Sequence, residues 1–152
     1  MLVTTWAPAA TLPPMLAVAS VLDRRGHEVA VLASGETRNA AEQRGFEVIG
    51  YRRCPDPDVR VAFEEQADVV IVRLAGTEIA LDVRDALEEV RPNLAVVDCM
   101  LPAAIAAARA KDTPTASIVH FLYGLARSQV LRLDDGPSWC GQPVAWATGT
   151  PL

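Results

Sequence analysis

Residues 2–51 alternate short apolar runs with helix-forming segments, and this alternation constrains the fold more than any other feature of the chain. Leu2 to Trp6 reads as a buried strand. Pro13-Pro14 then open a helix, because a missing N–H is harmless in a first turn. Met15, Val18 and Leu22 repeat at helical spacing up to Arg24-Arg25-Gly26, where cations in the last turn and a glycine just beyond are stop signals. Glu28 to Leu32 is a second strand, Glu36 to Arg44 a polar helix closed by Gly45, and Phe46 to Tyr51 a third strand. Apolar runs without polar alternation belong to strands covered on both faces. The pattern therefore predicts a doubly wound, Rossmann-like α/β domain with a mainly parallel sheet.

Past Pro55-Asp56-Pro57, residues 67–74 stand open between helix and strand. Val69 to Val72 favour a strand by β-branching, whereas Phe63 to Ala67 are helix formers. Ile79, Val83, Leu87 and Val90 mark an amphipathic helix stopped by Pro92. Leu94 to Val97 form a buried strand ending at Asp98, followed by a helix from Pro102 to Lys111 and a strand from Thr115 to Phe121. From Asp134 onward periodicity stops, so the expected division is a single domain over 1–133 and an irregular tail over 134–152. Trp139 and Trp146 have no visible core to join there, which suggests a binding partner or a missing part.

With 152 residues, 51% hydrophobic and 22% charged, the chain has the composition of one globular domain. A domain of this size buries roughly 70% of its unfolded surface and needs no staple. Cys54, Cys99 and Cys140 lie far apart and in no C-x-x-C spacing, which points to a reducing, cytoplasmic setting and no metal site. The net charge of −5 and the lack of a Lys/Arg run exclude a nucleic-acid footprint. Residues 1–22 are uncharged, but they lack a basic start and are interrupted at Pro8 and Pro13-Pro14. Neither a secretory signal nor a membrane span, which needs about 20 continuous apolar residues, is expected.

Ligands of open parallel sheets sit at the carboxyl ends of the strands, beside the switch in strand order. That rule selects the loop Ala7 to Leu12, the turn Asp98-Cys99-Met100, and His120-Phe121-Leu122. The first loop has neither G-x-G-x-x-G nor G-x-x-x-x-G-K-[ST], so the phosphate nest of dinucleotide and P-loop proteins is missing and no cofactor is expected. Asp98 places a carboxylate at the mouth of the presumed cleft; its other reading is an N-cap for the helix at Pro102. His27, just after Gly26 at the opposite edge, reads as structural, and His120 as cleft lining or ordinary packing.

The run TTW, followed by PPMLAVASVLDRRGHEVAVLAS, resembles the amino-terminal, acceptor-binding domain of the GT-B glycosyltransferases that act on small natural products, of the UDP-glycosyltransferase-like, macrolide and antibiotic type. Those chains open with a strand, a Gly-His loop, a Pro-led helix and then RGHEV. LAVVDCMLPAAIAAARA and PTASIVHF look like the later strand–helix–strand of the same domain, and the resemblance covers residues 1–132. It implies half of a GT-B fold that holds a small hydrophobic acceptor, while a second domain binds the nucleotide sugar. A His in the first loop removes the acceptor's proton in that family, and an Asp after a later strand orients it. The Asp matches Asp98, but the His position falls on Thr11, whose hydroxyl is no general base near neutral pH. The acceptor-binding positions implied are Trp6, Ala10, Met100, His120, Phe121 and Leu122.

No H-x-G donor motif occurs in the chain. The expectation is a protein inactive alone, whether a truncated copy or one subunit of a split enzyme, which meets a donor-binding domain or chain or self-associates. A non-catalytic ligand-binding α/β module is the alternative. A third reading is a receiver phosphorylated at Asp98, since ALEEVRPNLAVVDCMLPAA resembles the stretch around a receiver's phosphorylated aspartate. Receivers also need an acidic pair after the first strand to hold Mg²⁺ and a Lys after the last strand. This chain offers Trp6-Ala7 and no Lys beyond Lys111.

Overall fold

The computed structural model describes residues 1–5, 11–33, 35–54 and 74–119. Met1–Ile118 form one compact unit. A second unit, Val119–Leu152, falls beyond Val119 outside the described residues, as do the expected boundary at 133/134 and positions 67–73 of the ambiguous stretch.

Among the described residues of the first unit, five strands and four helices alternate: β1 (Leu2–Thr4), α1 (Leu12–Arg24), β2 (Ala30–Leu32), α2 (Gly35–Glu42), β3 (Glu47–Ile49), α3 (Thr77–Val90), β4 (Ala95–Asp98), α4 (Pro102–Ala110) and β5 (Thr115–Ile118). The sheet order is β3-β2-β1-β4-β5, and every neighbouring pair is parallel. From β1 the chain winds outward to β3, then returns to the other side of β1 with β4 and β5. The switch in strand order therefore lies between β1 and β4.

Alternation along the strands builds two cores, one on each face. Val3, Val31 and Val96 pack with Met15, Leu16 and Ala19 of α1 and with Ala41 of α2. Leu2, Leu32 and Val97 pack with Ile79, Val83 and Leu87 of α3 and with Ala104 and Ile105 of α4. Full burial of each large side chain contributes about 1.5–3 kcal/mol, so the sheet is sandwiched by apolar area on both sides.

Helix ends follow the chemistry of the sequence. Pro13 and Pro14 fall in the first turn of α1, and Pro102 opens α4. Gly26 (φ 85°) and Gly45 (φ 84°) turn the chain in the left-handed region where a side chain is strained, which lets the strand begin within a few residues. The strands are shorter than the apolar runs suggest. β3 stops at Ile49 rather than Tyr51, and the amides of residues 52–54 turn to the Asp82 carboxylate. β1 stops at Thr4, although the Thr5 amide still donates to the Leu32 carbonyl at 3.2 Å. β5 ends at Ile118, and Phe121 lies outside the described residues.

Candidate functional site

The carboxyl edge beside the switch brings Thr4, the last residue of β1, and Thr5 after it close to Asp98 at the end of β4, since Thr4 is in register with Val97. Asp98 is 2% exposed, more deeply buried than a residue at the mouth of a cleft. By alternation from Val96 it lies on the face covered by α1, whose first turn starts at Leu12 after Thr11.

Asp98 does not cap α4. Leu101 is the N-cap there, with no side-chain cap bond, and Asp98 Oδ1 instead accepts the Met100 amide at 2.9 Å. This local turn bond holds the carboxylate where the chain leaves the sheet. Met100 is half-buried beside it. Thr11 occupies the N-cap position of α1 in a helical conformation (φ −85°, ψ −30°), and its hydroxyl does not cap the helix. Of the sequence-derived positions, the structure thus places Asp98, Met100 and Thr11 along one edge. Trp6, Ala10, His120, Phe121 and Leu122 lie outside the described residues. His27 is exposed, just past Gly26 and before β2, with its amide donating to the Leu22 carbonyl at 3.2 Å.

Tyr51 and Asp82 add further polar groups beside this edge. The Tyr51 hydroxyl donates to the Thr5 carbonyl at 3.1 Å. Burial pushes its phenol well above the ordinary tyrosine range, with added upward pressure from Cys54, Asp82 and Asp98, so the group is a neutral donor. The hydroxyls of Thr4 and Thr5 are wholly buried and have no hydrogen-bond partner among the described residues. Asp82, 4% exposed on α3, accepts the amides of Arg52, Arg53 and Cys54 on Oδ2 at 3.0, 2.9 and 3.1 Å. Its Oδ1 accepts the Arg53 guanidinium at 2.7 Å. Arg53 also holds Asp85 at 2.8 Å, which keeps the Asp85 carboxyl below its usual range.

The signal for Asp82 was present in the sequence, as a carboxylate at helical spacing among Ile79, Val83, Ala86 and Leu87. An acid on an apolar stripe requires a buried partner. Tyr51 had the weaker signal of ending a strand on the ligand side.

At the amino-terminal ends of the strands a separate open recess is lined by Glu28, Glu47, Glu89 and Arg91, among others. Its three carboxylates oppose phosphate binding. Among the described residues, no three His, Cys, Asp or Glu stand close enough to hold a metal ion, and no helix is long and apolar enough to cross a membrane.

No family model and no curated protein matches the chain. Solved structures do. The glycosyltransferase VinC, in complex with dTDP, aligns with 98% of this chain at 19% identity and a TM-score of 0.62, the alignment covering 43% of VinC. The spinosyn forosaminyltransferase SpnP aligns with 97% of the chain at 21% identity and a TM-score of 0.64, over 39% of its own length. The calicheamicin glycosyltransferase CalG4 aligns with 97% at 20% identity and a TM-score of 0.58, over 41% of its length. The chain thus spans about two-fifths of the length of the structures it matches. Five parallel strands, helices on both faces and this coverage give the chain the fold of one part of a GT-B glycosyltransferase.

Proposed function

We propose that this chain is the acceptor-binding half of a glycosyltransferase, which holds a small hydrophobic natural product while its hydroxyl receives a sugar from a nucleotide sugar bound by another domain or chain. The observation that carries the reading is Asp98: a buried carboxylate at the switch between β1 and β4, fixed by the Met100 amide and on the side of the sheet where α1 begins. Ligands of open α/β sheets gather at such a point.

Glycosyl transfer to a hydroxyl requires that its proton leave as the new bond to the sugar forms. A carboxylate placed there accepts a hydrogen bond from the acceptor or from a base beside it, while Thr11 can supply only a hydroxyl. The chain therefore binds and orients the acceptor, and by itself transfers sugar weakly or not at all. The loop sequence after β1 carries neither G-x-G-x-x-G nor G-x-x-x-x-G-K-[ST], which fits a donor site elsewhere. We place the protein in the cytoplasm, where nucleotide sugars and reduced cysteines coexist.

A receiver role is disfavoured by Thr4 and Thr5 at the end of β1, where a receiver needs an acidic pair to hold Mg²⁺. The test is an amide NMR titration with 2-naphthol, an apolar hydroxylated probe, and in parallel with thymidine diphosphate. The Met100 resonance is expected to move with the first and to stay with the second. Micromolar binding of the nucleotide, or a probe that shifts only residues remote from β1 and β4, would overturn the proposal.

A further inference from the structure

We propose that Asp82, remote from the Asp98 site in sequence, is a positioning residue for that site: it gathers the chain after β3 into a nest that holds the Tyr51 phenol against the carboxyl end of β1. The inference rests on the function proposed above and extends it to how the site keeps its shape.

After β3 the amides of residues 52–54 turn away from the sheet. All three converge on one oxygen, Asp82 Oδ2, within 2.9–3.1 Å. The Arg53 guanidinium takes Oδ1 at 2.7 Å and is itself tied to Asp85 at 2.8 Å. A carboxylate buried to 4% exposure is costly unless charge-assisted bonds replace its water, and these four bonds do so. An apolar residue at position 82 would suit the stripe on α3 better but would leave three amides unpartnered.

The nest begins one residue after Tyr51, so it fixes where that side chain emerges. From there the phenol crosses the neighbouring strand β2 and donates to the Thr5 carbonyl, 46 residues away in sequence, at 3.1 Å. Thr5 is where the described chain leaves β1, and Thr11 opens α1 soon afterwards. Fixing the Thr5 carbonyl fixes the carboxyl end of β1, the strand that pairs with β4 and so stands beside Asp98. The groups surrounding the phenol are Cys54 from the nest, Asp82 from α3 and Asp98 from β4, whose fields all favour its neutral, donating form.

The experiment follows the phenol by ultraviolet difference absorbance against pH. The chain has two tyrosines, Tyr51 and Tyr123, and Tyr51→Phe assigns the signals. Asp82→Glu keeps the charge and displaces the carboxylate by one methylene. A pure charge effect leaves the Tyr51 midpoint unchanged, whereas loss of position brings it down toward 10.0. With it, the affinity for 2-naphthol should weaken about tenfold, the size of one lost hydrogen bond. A folded Asp82→Glu protein with the Tyr51 midpoint and probe affinity of the wild type would overturn the inference.

Should Asp82→Glu not fold, Tyr51→Phe decides. Unchanged probe affinity and an unmoved Met100 amide resonance would overturn the inference, and a shift in both supports it. The tyrosine titration needs no ligand, so absence of probe binding by the wild type refutes the acceptor reading without touching the Asp82–Tyr51 relation.

Discussion

The Tyr51 hydroxyl and the Thr5 main-chain carbonyl, 3.1 Å apart, join the end of edge strand β3 to the end of central strand β1 across β2. The bond holds a neutral phenol in a half-buried setting that disfavours tyrosinate, and the consequence is a definite dependence of stability on pH.

Because the folded-state value of Tyr51 lies above its ordinary 10.0, the unfolded chain loses its proton first as pH rises. The stabilising contribution is fully present below about pH 10 and declines above it as the pH approaches the folded value. Tyr51→Phe should therefore be less stable near neutrality, by about 1 kcal/mol for the lost bond, and should show a shallower loss at alkaline pH. Urea midpoints of the two proteins measured from about pH 8 to 11 are expected to converge; parallel curves would show that the phenol is not held in its neutral form.

Asp82→Ala removes the acceptor of three amides and of Arg53 in a place that water reaches poorly. Breaking such a buried set costs about 3–5 kcal/mol, a large share of a domain stability of about 5–15 kcal/mol. Asp82→Asn retains one acceptor oxygen and should lose less. Denaturant unfolding of the three proteins checks the order, and an alanine variant within about 1 kcal/mol of the wild type would mean that water or neighbouring groups replace the carboxylate.

Thr11→His places an imidazole at the start of α1, on the edge of the sheet that carries Asp98. In a protein joined to a donor-binding domain, sugar transfer should rise, because general-base catalysis contributes about 10²–10⁴-fold when deprotonation limits the rate. The additional variant Asp98→Asn should remove most of the gain. No increase in a folded variant that binds acceptor would show that position 11 and Asp98 do not act on the same hydroxyl.

Gly26→Ala tests the turn that ends α1. A Cβ there meets nothing within 4 Å, so the cost comes from the backbone at φ 85°. About 1–2 kcal/mol is expected from the left-handed conformation. Gly26→Asn should cost less, because asparagine tolerates that region better. Equal thermal midpoints for Gly26→Ala and the wild type would mean that the turn relaxes out of it.

Much of this architecture was legible in residue order. Arg24-Arg25-Gly26 and Arg44-Gly45 end their helices because only a left-handed residue lets the chain reverse so quickly. The apolar runs around Val3, Val31, Val48 and Val96 mark strands because covered strands have no polar face to alternate. Asp98 was found because the carboxyl end of a strand is a position fixed by chain order alone.

Tertiary structure decided what chain order cannot express. Sequence placed Asp98 at a cleft mouth, whereas the folded chain leaves it 2% exposed and gives its Oδ1 to the Met100 amide. A carboxylate on α3, about thirty residues downstream, takes the three amides that follow Tyr51, a partnership that no local pattern announces. Tyr51 reaches Thr5 only after β2 has been inserted between β1 and β3. Local patterns set which segments become helix and strand, because those depend on neighbours three or four residues away. Which polar groups meet at the edge of the sheet depends on partners tens of residues apart, and the packed fold alone brings them together.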